Sequence, residues 1–162
     1  MSTERRVRGW EESADRVPHF LLVDDDELIT RSVCRVLRVA RPRWALVAVP
    51  SASAAVRELA RRDFDVVISD LVLPGLPGTA LLEFVRSRYP KSVRVVFSGL
   101  VEVAARHPEV QEAHEVLAKP TTPQDLVSAL ARALRTGAGM RITLRPPAFV
   151  RPAADAASSH VA

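Results

Sequence analysis

Apolar and polar positions along this chain follow two alternating rhythms. The run HFLLV at residues 19–23 is almost unbroken in its apolar character and stops at three carboxylates, Asp24, Asp25 and Asp26. That is the pattern of a strand buried on both faces that ends at a polar site. From Glu27 the rhythm changes: Ile29, Val33, Val36, Leu37 and Ala40 recur at intervals of three and four. This spacing predicts an amphipathic helix with those five residues on its inner face, closed by Pro42. The two rhythms then repeat. ALVAVPS reads as a strand and ASAAVRELARR as a helix; FDVVISD reads as a strand and GTALLEFVRSRY as a helix stopped by Pro90. SVRVVFSG is a fourth strand, followed by a less regular helix around residues 101–113, and EVLAK is a short fifth strand. Leu126, Leu130 and Leu134 stripe a last helix over residues 123–135, with Asp125 in its first turn and arginines in its last to complement the helix dipole.

Short loops between strand and helix leave room only for crossover connections, so the fold class is α/β, a five-stranded parallel sheet with helices on both faces. Residues 1–18, in which charges of both signs mix without a period, read as a tail with at most one helical turn around Trp10. The folded unit spans 19–137. Residues 138–162 shift to Pro, Ala, Arg and Ser; RITLRPPAFVRP suits a short strand or an extended arm, and ADAASSHVA has too little apolar bulk to pack.

Composition changes this picture little. A chain of 162 residues with 48% apolar content supports one core. The formal charge of +4 is too small to imply a nucleic-acid partner, and the absence of any long apolar run excludes a membrane helix and a signal peptide. The single cysteine, Cys34, lies within a helical pattern as a filler, so a reducing cytoplasm is the simpler compartment. His19, His107, His114 and His160 are scattered without metal spacing and are assigned no chemistry.

In an open parallel sheet, ligands bind outside the carboxyl ends of the strands. Strand one ends in Asp24, Asp25 and Asp26, strand three in Asp70, strand four in Ser98 and strand five in Lys119 before Pro120. Carboxylates brought this close repel one another, and a hard divalent cation, Mg²⁺ or Mn²⁺, is the natural remedy; neither His nor Cys stands at these ends to favour zinc. A carboxylate beside such a metal can attack phosphorus, with Ser98 and Lys119 as donors to the charge that develops. Gly99 leaves space beside Ser98. The simpler readings are a helix N-cap for the first acids, which suits Asp26 best, and a turn residue for Asp70.

The motifs LLVDDDE, VVISDLVLPGLPG, VVFSG and LAKP, in this order and each at the end of a buried strand, resemble the receiver domains of two-component response regulators over residues 19–136. The spacings from Asp25 to Asp70, Asp70 to Ser98 and Ser98 to Lys119 are 45, 28 and 21 residues. The resemblance implies a flavodoxin-like (βα)5 fold. It implies Asp70 as phospho-acceptor, Asp24, Asp25, Asp70 and the Val72 carbonyl as the Mg²⁺ site, with Asp24 acting largely through water. It further implies Ser98 as switch hydroxyl, Lys119 as the cation that meets the phosphoryl group, and Pro120 after a cis peptide bond. The phosphoryl donor would be a histidine kinase or a phosphotransfer protein, with output by protein–protein contact through the fourth helix, fifth strand and last helix. The residues beyond Gly137 are expected to be too few for an output module, catalysis is expected to be confined to the chain's own phosphorylation and dephosphorylation, and a homodimer is left open.

One position departs from the family. Three residues before Lys119, where many receivers carry an aromatic ring that swings inward, stands Val116, and Phe97 reads as core. Val72 and Leu100 flank the expected path of a hydrolytic water and are apolar, so the phosphoryl group is expected to last hours rather than seconds. The alternative is a phosphate-independent binding module that uses arginine-rich surfaces or the C-terminal arm.

Overall fold

A computed structural model describes residues 16–136, the side chains of 103 and 104 excepted. Five parallel strands, β1 (His19–Val23), β2 (Ala45–Val49), β3 (Val66–Ser69), β4 (Val93–Ser98) and β5 (Glu115–Ala118), lie in the order β2-β1-β3-β4-β5. Every neighbouring pair is parallel, with Phe20 opposite Leu46 and Val66, and Val66 opposite Val93. Right-handed crossovers with this order place helices on both faces and reverse direction beside β1, where a crevice opens at the carboxyl ends of β1 and β3.

The period of two along each strand sorts the core into layers. Phe20, Leu22, Val66, Ile68, Val93, Val95 and Phe97 face one side, where α1 (Glu27–Ala40) adds Val33 and Leu37, and α6 (Pro123–Thr136) adds Leu126, Ala129, Leu130 and Ala133. Leu21, Val23 and Val67 face the other, meeting α2 (Ala52–Leu59) through Ala55 and Leu59 and α3 (Gly78–Arg88) through Leu81 and Val85. Burying side chains of this size contributes roughly 1.5–3 kcal/mol each, which is why β1 and β3 read as almost unbroken apolar runs and β4 departs from one only at Arg94 and its terminal Ser98. The edge strand β2 is only half-buried throughout.

Local chemistry fixes the helix starts. The Asp26 carboxylate accepts the Leu28 and Ile29 N–H groups at 2.8 and 3.2 Å and caps α1, and the Ser51 hydroxyl accepts the Ala54 N–H at 3.2 Å and caps α2. Each cap stabilises its helix by about 1 kcal/mol.

Two expectations are corrected. Ala40 is exposed, because burial along α1 centres on Val33 and Leu37 and ends before its last residues. The helix expected over 101–113 is two short segments, α4 (Val101–Ala104) and α5 (Pro108–Gln111). Pro108 lacks an N–H and pushes the residue before it into extended backbone, and His107 sits there at φ −79° and ψ 129°. This connection is braced instead by a buried charge. The Arg94 guanidinium donates to the Glu112 carbonyl at 2.9 Å, and the Arg94 N–H donates to His114 Nδ1 at 3.0 Å. His114 therefore has a structural partner that its isolated place in the sequence did not announce. Burial, and then the Arg94 charge, hold its pKa below that of free histidine. The tail readings at 1–15 and 138–162, Trp10 and the RITLRPPAFVRP arm included, lie outside the described residues. Among the described residues no helix is long and apolar enough to cross a membrane.

Candidate functional site

The sheet's hydrogen bonding runs one residue past the strand ends and so sets the polar side chains in place. Asp24 N–H donates to Val49 O at 3.1 Å, Asp70 N–H to Val23 O at 2.9 Å and Lys119 N–H to Ser98 O at 3.0 Å. Four chain segments far apart in sequence thereby deliver Asp24, Asp70, Ser98 and Lys119 to one edge.

There the side chains close on each other. Asp70 Oδ1 accepts the Ser98 hydroxyl at 2.7 Å and the N–H groups of Leu71 and Val72 at 2.6 and 3.2 Å. Asp70 Oδ2 accepts Lys119 Nζ at 2.7 Å, and the same ammonium group donates to Asp24 Oδ2 at 2.5 Å. Asp24 is almost fully buried and uses its other oxygen to accept the Asp26 N–H at 3.0 Å. Lys119 lies 5.2 Å from the centroid of the Phe97 ring, which lines its path as a buried apolar wall. The Lys119–Pro120 peptide bond is cis.

The protonation states follow from these contacts. Burial pushes the Asp70 pKa up, but the Lys119 and Ser98 hydrogen bonds outweigh it and hold the carboxyl below its ordinary value. Burial pushes Lys119 down, and its bonds to Asp24 and Asp70 reverse this and hold it above the ordinary lysine value. Both groups are charged at neutral pH.

Carboxylate oxygens of Asp24, Asp25 and Asp70 lie within 4.8 Å of one another. Three carboxylates against one ammonium leave two uncompensated negative charges, which fits a divalent cation with oxygen ligands. Asp25 is exposed and open to such an ion, whereas Asp26 turns away into its capping role. Val72 offers its N–H to Asp70 and is 57% exposed as a residue; Leu100 is 50% exposed.

Two features were not singled out from the sequence. A Cβ on Gly78 would sit 1.8 Å from the Asp70 carbonyl oxygen, so only glycine lets α3 start against this loop. The second glycine of LVLPGLPG was the available signal. The backbone N–H groups of Leu71 and Val72 also converge on Asp70, and a sequence carries no trace of that convergence. Val116 is half-buried against the cluster of Leu71, Leu82, Val96, Val110 and Ala113, with no ring at that position. Phe97 is core, as read.

Comparison with known proteins gives the site its context. The chain matches the family model "Response regulator receiver domain" over residues 20–131. It is 36% identical over 114 residues to the response regulator protein FleR of Pseudomonas aeruginosa, covering 69% of this chain and 24% of that protein. It is 32% identical over 123 residues to the hydrogenase transcriptional regulatory protein HoxA of Cupriavidus necator, covering 75% of this chain and 25% of that one. The chain thus spans about a quarter of the length of these curated relatives. Among solved structures, the signal receiver domain of an HD domain-containing protein from Pseudomonas fluorescens superposes with a TM-score of 0.68 at 33% identity, covering 75% of this chain and 90% of that one. Strand order, strand-end chemistry and a family match across nearly the whole described region agree, and the chain belongs to the response regulator receiver domain family.

Proposed function

We propose that residues 19–137 act as a phosphorylatable signalling switch in which Asp70 accepts a phosphoryl group from a histidine kinase or phosphotransfer protein. The observation that carries this reading is the double engagement of the Asp70 carboxylate, Ser98 on one oxygen and Lys119 on the other, beside two more carboxylates. Asp24, Asp25, Asp70 and the Val72 carbonyl would hold Mg²⁺ or Mn²⁺, which screens the anionic nucleophile from the anionic phosphoryl group. In the transfer, an Asp70 oxygen bonds to phosphorus while the phosphorus–nitrogen bond of the donor breaks, and the electron pair leaves on the donor's imidazole. Lys119 and Ser98, released from the carboxylate, meet the phosphoryl oxygens. Their movement from one partner to the other is the change that a downstream protein would read.

With Val116 in place of a ring, the readout would proceed through Ser98 and Lys119 and not through an aromatic side chain. The chain would act on itself, with no separate substrate, and work in the cytoplasm. The apolar side chains of Val72 and Leu100 offer nothing to orient a hydrolytic water, so the aspartyl phosphate is expected to last hours in Mg²⁺; a half-life of seconds counts against this.

The test is incubation of the full chain with Mg²⁺ and acetyl phosphate, followed by intact mass beside an Asp70→Ala control. A gain of one phosphoryl group that the control loses supports the switch. No gain, with Mg²⁺ binding also undetectable, favours a phosphate-independent binding module.

A further inference from the structure

At the amino edge of the sheet, opposite the carboxylate cluster, lies a groove of about 560 Å³ between the start of β3, the α3–β4 turn and the last turn of α6. This is within the ~300–1,000 Å³ typical of ligand clefts. Its apolar lining comes from Phe64, Tyr89, Pro90, Val93 and Leu134. Two cations, Arg88 and Lys91, stand at it exposed, and neither has a hydrogen-bond or ion-pair partner among the described residues. Asp65 is already neutralised by Arg16 at 2.8 Å and accepts the His19 N–H at 2.8 Å, which leaves Asp63 as the one acid of the lining without a partner among the described residues. The unmatched charge of the groove is therefore positive.

Arg16 is itself part of the lining, so the segment that precedes it in the chain starts at the groove's rim. That segment reads Gly9-Trp10-Glu11-Glu12-Ser13-Ala14-Asp15: one large aromatic residue and three acids, with no base. Five residues separate Trp10 from Arg16, six Cα steps with an extended reach of about 20 Å, enough to lay the indole along such a groove. The C-terminal segment also leaves near this edge, after Leu134, but residues 137–152 carry Arg141, Arg145 and Arg151 and no acid, the wrong sign for Arg88 and Lys91.

We propose that the groove is the docking site of the chain's own segment Trp10–Asp15, with the Trp10 ring covering Tyr89, Pro90 and Leu134, and Glu11 and Glu12 facing Arg88 and Lys91. The Arg16–Asp65 ion pair anchors the point of entry. An aromatic anchor flanked by charges is the usual composition of a small interface, and attachment in cis removes most of the association cost. The docked segment covers the amino edge and leaves the phosphorylation edge free.

Tyr89 is the only tyrosine in the chain, so fluorotyrosine incorporation gives one fluorine resonance that reports the groove. The full chain is compared with Trp10→Ala and with a Glu11→Lys/Glu12→Lys variant, all at several protein concentrations and at low and high salt. These substitutions touch none of the residues that form the core. The expected result is one concentration-independent resonance in the parent that moves in both variants, and that moves the same way in the parent at high salt. Identical resonances in parent and variants overturn the proposal. A shift that grows with protein concentration overturns docking in cis, since a second copy would then be the occupant.

Discussion

The two edges of the sheet treat charge in opposite ways. At the carboxyl edge, Asp24, Asp70 and Lys119 are buried or half-buried, and the Lys119 ammonium group donates to both carboxylates within a cluster that keeps an excess of negative charge. At the amino edge, Arg88, Lys91 and Asp63 stand exposed without partners among the described residues, while the buried polar group, Ser92, donates its hydroxyl to the Phe64 carbonyl at 2.7 Å. Both edges are built from equivalent strand termini. The difference shows which polar groups exist to hold the fold and which hold a strained charge balance that a ligand can relieve: a cluster of like charges is costly to fold around, so it marks chemistry, whereas a single satisfied hydroxyl marks structure.

The sharpest break in this contrast is Gly78→Ala. The added methyl collides with the Asp70 backbone, which cannot move without misplacing the Asp70 carboxylate. A loss on the order of 3 kcal/mol in urea unfolding and loss of phosphoryl uptake are expected together; an unchanged unfolding midpoint would refute the account.

Next is Lys119→Met, which leaves Asp24 and Asp70 facing each other without their cation. A loss of about 2–3 kcal/mol without Mg²⁺ is expected, with a larger recovery on adding Mg²⁺ than the parent shows. The pH dependence supplies the sign. The folded pKa of Asp70 is lowered, so its contribution is present above the unfolded value near ~3.9 and is lost as pH falls through the folded value. The folded pKa of Lys119 is raised, so its contribution is present below the unfolded value near ~10.4 and is lost as pH rises through the folded value. The gap in stability between parent and variant should therefore narrow at both acid and alkaline extremes. A gap independent of pH would show that the ion pair is not its source.

At the amino edge, Ser92→Ala should cost about 1 kcal/mol and leave the rate of phosphorylation by acetyl phosphate unchanged. A fall in that rate would show that the two edges are coupled. Smallest in stability is Asp25→Asn, expected to change the unfolding free energy by less than about 0.5 kcal/mol, because the group is exposed. It should weaken Mg²⁺ binding measurably by titration; equal affinity would remove Asp25 from the metal set.

Much of this molecule was legible before any coordinates. The five alternations, the β1, β3 and β4 runs and the polar residues that end them could be read because burial imposes its periodicity locally. The break at Pro108 was missed, because the apolar residues around it suggested one helix, although the proline was a local signal for the extended residue before it. Ala40 was misplaced, since a helical stripe does not record where burial along it ends.

By itself, then, the sequence determined the element types, the parallel sheet and the identity of the strand-end groups, because each depends on the residues next to it. Only the tertiary structure decided the strand order, the position of Lys119 between two carboxylates, the fit of Gly78 beneath Asp70, the pairing of Arg94 with His114, and the groove beside Arg16. Each of those depends on which distant segments pack together, and packing is settled by shape and charge summed over the whole core.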